Sequence, residues 1–382
     1  MPKSRIAQSA DSVRSVVVGS LAHAKGPYDY AEVDAPSPFT RIGPGPGSIV
    51  KPDVVFYGGN AGMNAGKLEK TGIKSFSIDG TPAYNVGTSF STPWVSRMAA
   101  ELTHLVKEEF DPLLIRALLI HNAKYPANNS MSMTDKVTQM GFGAPSSVQE
   151  MLYNSEDEIT LILRDTLEKG SFIEMFDFPF PESLVDKDGN FVGQIIVTLV
   201  TKSLLDDKQA GEYCQSNIDI LFGTYETETD RDTSKKGIKN PKGLEEPQNI
   251  LLESLYSARV KGAHPFTGFE RECTLVKYGK KFHPVKKYAI DLSEMTTSNR
   301  QRYLRGDRKW YLKIEGLYRD FIEQDARARN YQLSQEYCLL LTIRDPNGKA
   351  PVYDEVAQQL DYKNFLHHNI QLRNVVTIDG TL

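Results

Sequence analysis

The chain has 382 residues, too many for one ordinary domain, so two domains are the natural expectation. With 40% hydrophobic and 25% charged residues it can bury real cores, which excludes disorder along the whole length. A net charge of −4 supplies no broad field for nucleic acid or an anionic membrane surface, and neither is expected as a partner.

The first twenty-one residues contain only a short apolar run, Val16-Val17-Val18, broken by Gly19. A secretory segment needs roughly 7–15 apolar residues, so no signal peptide is expected here. Nothing approaches the ~18–20 apolar residues of a membrane span. Cys214, Cys273 and Cys338 are far apart and odd in number, which suits a reducing compartment, and the expected location is cytoplasmic.

In chain order, residues 13–21 (VRSVVVGSL) are β-branched and stop at a glycine-containing turn, the pattern of a buried parallel strand. Gly26 to Ser48 is rich in Pro and Gly and is expected as loop. Asp53 to Tyr57 forms a second strand, and a long glycine-containing loop then runs to Thr88. From Ser91, residues Val95, Met98, Leu102, Leu105 and Val106 recur with helical period, with Pro93 in the first turn. Asp111 caps a second helix that opens with Pro112 and carries Leu113, Leu114, Ala117, Leu118 and Ile120. Residues 128–138 are polar and expected to be mobile; Gly141-Phe142-Gly143 leads to a short helix opened by Pro145-Ser146-Ser147.

After about residue 155 the period switches to two. Strands are expected at 158–164, 172–178, 193–202, 216–224, 272–278, 285–292, 309–317 and 336–344, and a short helix at 352–360. Such a series suggests an antiparallel β-sandwich domain over 158–382. The almost wholly polar stretch 227–248 is expected to be a disordered loop.

Chemistry concentrates in Gly87-Thr88-Ser89-Phe90-Ser91-Thr92-Pro93-Trp94-Val95. A glycine permits a tight turn, and a serine then stands at the mouth of an amphipathic helix. Unpaired N–H groups and the positive end of the helix dipole suit a developing oxyanion there. A serine in that place also serves as an ordinary helix cap, so position alone does not decide.

The spacing resembles the serine box of the subtilase family, G-T-S-x-S/A-x-P-x-V, with every defining position filled. Four further segments are similar to the family in its order. Ser15–Ser20 resembles the "VITVGA" strand, and Phe39–Val55, containing Gly43-Pro44 and Lys51-Pro52-Asp53-Val54-Val55, resembles "FSSRGP … KPDVVAPG". Asp111–Ala123 is similar to the helix after the serine helix, and Gly141–Ala144 to the "GYG" turn. The resemblance covers residues 10–152 and implies an α/β fold, a doubly wound parallel sheet of which the N-terminal half is missing.

What the resemblance implies is peptide-bond hydrolysis by a serine endopeptidase through an acyl-enzyme, on a polypeptide substrate and with no cofactor. Ser89 would be the nucleophile, its N–H one oxyanion donor, with Gly87 and Thr88 shaping the pocket and Tyr84, Asn85 and Val86 bordering the cleft. The family's triad runs Asp, then His, then Ser, so the base and its carboxylate are expected upstream of Ser89. His23 is the sole histidine before Ser89, with Asp11, Asp29, Asp34, Asp53 and Asp79 as possible acids, but nothing around it resembles the family's "HGT" box. His104 and His121 are expected as packing or surface residues, and His367-His368 lacks partners at zinc spacing, so no metal is expected. Three readings stay open: part of a longer protease, one half of a split enzyme whose partner chain supplies Asp and His, or an inactive binding module. Alone, the first domain would leave a sheet edge and helix faces uncovered.

Overall fold

A computed structural model describes residues 4–7, 10–106, 110–126, 131–226, 248–256, 282–362, 370–372 and 374–375. Two compact units emerge among the described residues, the first from those within 1–152 and 206–213, the second from those within 153–205, 214–262 and 271–382. The architecture is mixed α/β with several small sheets.

In the first unit, β1 (Val18–Leu21) and β2 (Val54–Tyr57) form a parallel pair in which Val18 faces Val54 and Leu21 faces Tyr57. Only the last four residues of the expected strand 13–21 are extended. Val17 instead turns its N–H to the Asp53 carboxylate and its carbonyl to the Asp53 amide. Where a single loop was expected before Thr88 there are two hairpins: β3 (Asn60–Asn64) with β4 (Lys67–Thr71), and β5 (Ile73–Phe76) with β6 (Pro82–Asn85). The first closes through Ala65 and Gly66, both at positive φ, the two-residue turn that matches strand twist.

Four helices follow: α1 (Thr88–Leu105), α2 (Pro112–His121), α3 (Met133–Met140) and α4 (Val148–Leu152). α1 lies against both parallel strands. α2 starts as expected, Asp111 Oδ1 accepting from the N–H groups of Leu113 (2.8 Å) and Leu114 (3.2 Å). Every residue from Leu114 to His121 is buried, so the helix sits inside the unit. α3 replaces part of the stretch expected to be mobile. Ser132 caps it, its hydroxyl accepting from the Asp135 N–H and donating to the Asp135 carboxylate, and Val137 and Met140 are buried. Met140 joins Leu21, Val55 and Tyr125 in one apolar cluster. Gly141 then crosses β2 so closely that a Cβ would lie 2.0 Å from the Pro52 carbonyl oxygen, and its φ of 60 is itself unfavourable to other residues.

The second unit opens with β7 (Tyr153–Asn154), β8 (Glu158–Glu168), β9 (Phe172–Phe176), β10 (Gln194–Thr201) and β11 (Ser216–Tyr225). It continues through β12 (Gln248–Asn249), β13 (Val285–Asp291), α5 (Thr297–Tyr303), β14 (Lys309–Tyr318), α6 (Asp320–Arg329), β15 (Ser334–Arg344), α7 (Val352–Tyr362), β16 (Ile370–Leu372) and β17 (Asn374–Val375). Two antiparallel sheets result, in the orders β13-β10-β15-β8-β16 and β12-β11-β14-β9. They share one hydrophobic core: Leu161, Val197 and Leu339 come from the first, Ile218, Phe222 and Leu312 from the second. Trp310 anchors it, stacked on Phe180 with centroids 4.0 Å apart and on Phe222 at 5.1 Å. The strand expected at 272–278 and all but Gln248 of the polar stretch 227–248 lie outside the described residues, as does Cys273. Cys214 and Cys338 are buried and are thiols, not disulfide partners, among the described residues. No helix of the described residues is long and apolar enough to cross a membrane.

Candidate active site

The carboxyl ends of β1 and β2 carry the site. Gly58, just past β2, donates to the Leu21 carbonyl at 3.0 Å and accepts from the Gly87 N–H at 2.9 Å. These bonds hang the turn before α1 on the ends of both strands, the place where open α/β sheets put their chemistry. Gly87 takes φ 150 and ψ 160, a conformation essentially restricted to glycine. Its added Cβ would meet nothing nearer than 3.7 Å, so the restriction is one of backbone, not of space.

α1 begins at Thr88, three residues earlier than the apolar period indicates, and Ser89 therefore occupies its first turn. Pro93 falls in the second turn, not the first; it lacks the N–H that would have bonded the Ser89 carbonyl. The turn closes by other means. Phe90 donates to the Gly87 carbonyl at 3.0 Å, and Ser91 Oγ donates to the Thr88 carbonyl at 3.1 Å. Ser91 is fully buried by this, whereas Ser89 is exposed. Among the described residues neither the Ser89 hydroxyl nor its N–H has a hydrogen-bond partner. A free hydroxyl and an adjacent free N–H at a helix N-terminus are the elements of a nucleophile and one oxyanion donor.

Of the other expected residues, Asn85 ends β6, and its Oδ1 accepts from the Val86 N–H (3.0 Å) and Lys70 Nζ (3.3 Å). Tyr84 on the same strand is exposed. His23 follows β1, its Nδ1 buried without a partner, and none of the acids bonds it. Each of three acids is engaged elsewhere. Asp29 accepts from the Gly26 N–H at 2.7 Å, and Asp34 from the Tyr57 hydroxyl at 2.8 Å, a bond that with burial pushes the phenol up to about 12. Hydrogen bonds from Ser77 and Thr81 hold the exposed Asp79 carboxyl at about 2, in the turn of the second hairpin. Asp53 is a structural group. Buried, it pairs with Lys51 and with Arg116 (2.6 Å). His104 is exposed in the last turn of α1, His121 is buried, and His367-His368 lies outside the described residues.

Sequence periodicity missed the two hairpins, which are short and largely exposed. Their signal was the Ala65-Gly66 and Asp79-Gly80 turns between short alternating runs. Residues 2–145 match the model of the subtilase family. The match falls within the first unit, over less than half of the chain. The chain is also 28% identical over 224 residues to the uncharacterized protein y4bN of Sinorhizobium fredii (strain NBRC 101917 / NGR234), an alignment spanning 51% of this chain and 50% of that protein. The chain covers about half the length of this curated relative.

The turn geometry carries a prediction. Gly87→Ala should cost about 1–3 kcal/mol of backbone strain, because the new side chain has space but not the required φ and ψ. Urea unfolding followed at Trp94, in a Trp310→Phe background that silences the second unit, would measure it.

Proposed function

We propose that the chain works as a serine-type endopeptidase in which Ser89 forms the acyl-enzyme. The observation that carries this is the exposed Ser89, hydroxyl and N–H both unpaired, in the first turn of an eighteen-residue helix within a subtilase segment. Attack by the Ser89 oxygen on a peptide carbonyl forms a tetrahedral oxyanion, and the Ser89 N–H offers it one hydrogen bond. The hydroxyl proton must pass to a base, then to the leaving amine, and water later releases the acyl group. No described histidine bonds Ser89, so a histidine with its orienting carboxylate is supplied by a further polypeptide segment or a partner chain. The second unit, with two antiparallel sheets over one core, is proposed as a β-sandwich that presents substrates or partners.

A fluorophosphonate probe tests the assignment. With a segment that supplies base and acid added, Ser89 should be labelled and Ser91 should not, since Ser91 is buried and its hydroxyl is committed to the Thr88 carbonyl. Labelling at Ser91 would show that the nucleophile has been placed two residues too early. The lack of any described base favours a second reading, a binding module that uses the same cleft without turnover. Silence of Ser89 in a folded, complemented protein would establish that reading.

A further inference from the structure

Both hairpins adjoin the nucleophile turn, and both present apolar side chains to water. A Cβ on Gly59 would lie 2.7 Å from Val86 Cγ1, and one on Gly72 would lie 2.5 Å from the Asn85 backbone nitrogen. Gly59 leads into β3, so the first hairpin is packed onto Val86, three residues before Ser89, and the second hairpin runs directly into that residue from Asn85 at the end of β6. In the second hairpin Phe76 lies opposite Pro82 and Lys74 opposite Tyr84, which sets all four on one face. Phe76 is 74% exposed and Tyr84 65%, and Ile78 in the connecting turn is wholly exposed. In the first hairpin the opposed pair Met63 and Leu68 also faces solvent.

Cross-strand apolar pairs ordinarily stabilise a hairpin by being covered, and clustered exposed ones mark an interaction surface. Charge does not explain the surface: Lys67, Lys70 and Lys74 alternate with Glu69 and Asp79 along the same two hairpins. β3 is met on its outer side by Asp29 and Tyr30, whereas β5–β6 has no further strand paired with it among the described residues, so an outer edge of the second hairpin is available for backbone pairing with an extended chain. We propose that the faces of β3–β4 and β5–β6 are a docking surface for extended, apolar-rich polypeptide. Phe76, Ile78, Met63 and Leu68 then select substrates that expose hydrophobic segments next to the bond to be cut. The word substrate rests on the Ser89 assignment; the binding does not. Continuity with residues 85–86 is what ties this surface to the cleft and not to an unrelated contact.

The test uses the full chain carrying Ser89→Ala and fluorescein-labelled, reduced and carboxymethylated α-lactalbumin, a permanently unfolded probe. Anisotropy should report saturable binding, weakened about tenfold or more by Phe76→Ser with Ile78→Ser, with circular dichroism unchanged. Met63→Ser with Leu68→Ser should weaken it as well. Absence of binding by the parent chain, or binding by both pairs of variants as tight as the parent's, would overturn the proposal. So would sedimentation showing a dimer that the same substitutions dissolve, since the surface would then join two copies. Because the probe is read without Ser89, failure here is separable from failure of fluorophosphonate labelling.

Discussion

Asp53→Ala should destabilise the first unit by about 3–5 kcal/mol, the cost of removing one partner from a buried ion pair. Asp53 and Lys51 are essentially inaccessible, and Arg116 nearly so. Oδ1 accepts from Arg116 Nη2 at 2.6 Å, while Oδ2 accepts from Lys51 and, at 2.8 Å, from the Val17 N–H. Both cations also tie down the chain before β1: Arg116 donates to the Val13 carbonyl at 2.9 Å, Lys51 to that of Ser15 at 3.0 Å. Without the carboxylate, two buried positive charges face each other and Val17 loses its acceptor.

The same group dictates an acid response. Burial pushes the Asp53 carboxyl up, but the charges of Arg116 and Lys51 and the hydrogen bonds outweigh it and hold it below the usual carboxylate range. A carboxyl depressed on folding contributes stability that is complete above its unfolded value of about 3.9. That stability is lost as pH falls through the lower folded value. Unfolding of the Trp310→Phe chain, monitored at Trp94 between neutral and acid pH, should show the loss, and Asp53→Ala should remove the acid-dependent component. An unchanged acid limb in Asp53→Ala would assign the response to other carboxyls.

Proteolysis by the chain alone should be no more than trace, on the order of 10⁶-fold below a complete enzyme. Knocking out the serine or the histidine in subtilisin, of the family whose model matches residues 2–145, has about that effect on kcat. The physical reason is that an alcohol without a base is scarcely nucleophilic, and no described histidine or carboxylate bonds Ser89. Fluorogenic casein measures this directly. Robust cleavage by the pure chain, abolished by Ser89→Ala, would make His23 the candidate base, since it alone among histidines precedes the nucleophile turn. With a complementing segment present, activity should rise by orders of magnitude and still vanish in Ser89→Ala.

Much of this was written locally in the chain. The serine box, the strand Val54–Tyr57, the cap Asp111-Pro112 and the long alternating strands such as Gln194–Thr201 and Ser334–Arg344 follow from short-range pattern, because each buries a regular face. The helix Asp320–Arg329 escaped that pattern: only Ala326 is buried, and its support comes from surface pairs such as Arg329 with Asp325. α3 escaped it too, although its N-cap serine, Ser132, was legible.

By itself, then, the sequence determined the serine-box pattern Gly87–Val95 and the switch from helical to alternating period near residue 155, since both depend on neighbours in the chain. The tertiary structure alone decided three matters. The start of α1 at Thr88 needs Gly58, thirty residues away, to hold Gly87 in place. The role of Asp53 as a structural anion needs Arg116 from α2, so no local motif could separate it from a catalytic acid. The exposed hairpin faces beside Ser89 arise because Gly59 and Gly72 let backbone pack against residues 85–86, a contact that only close approach in space can reveal.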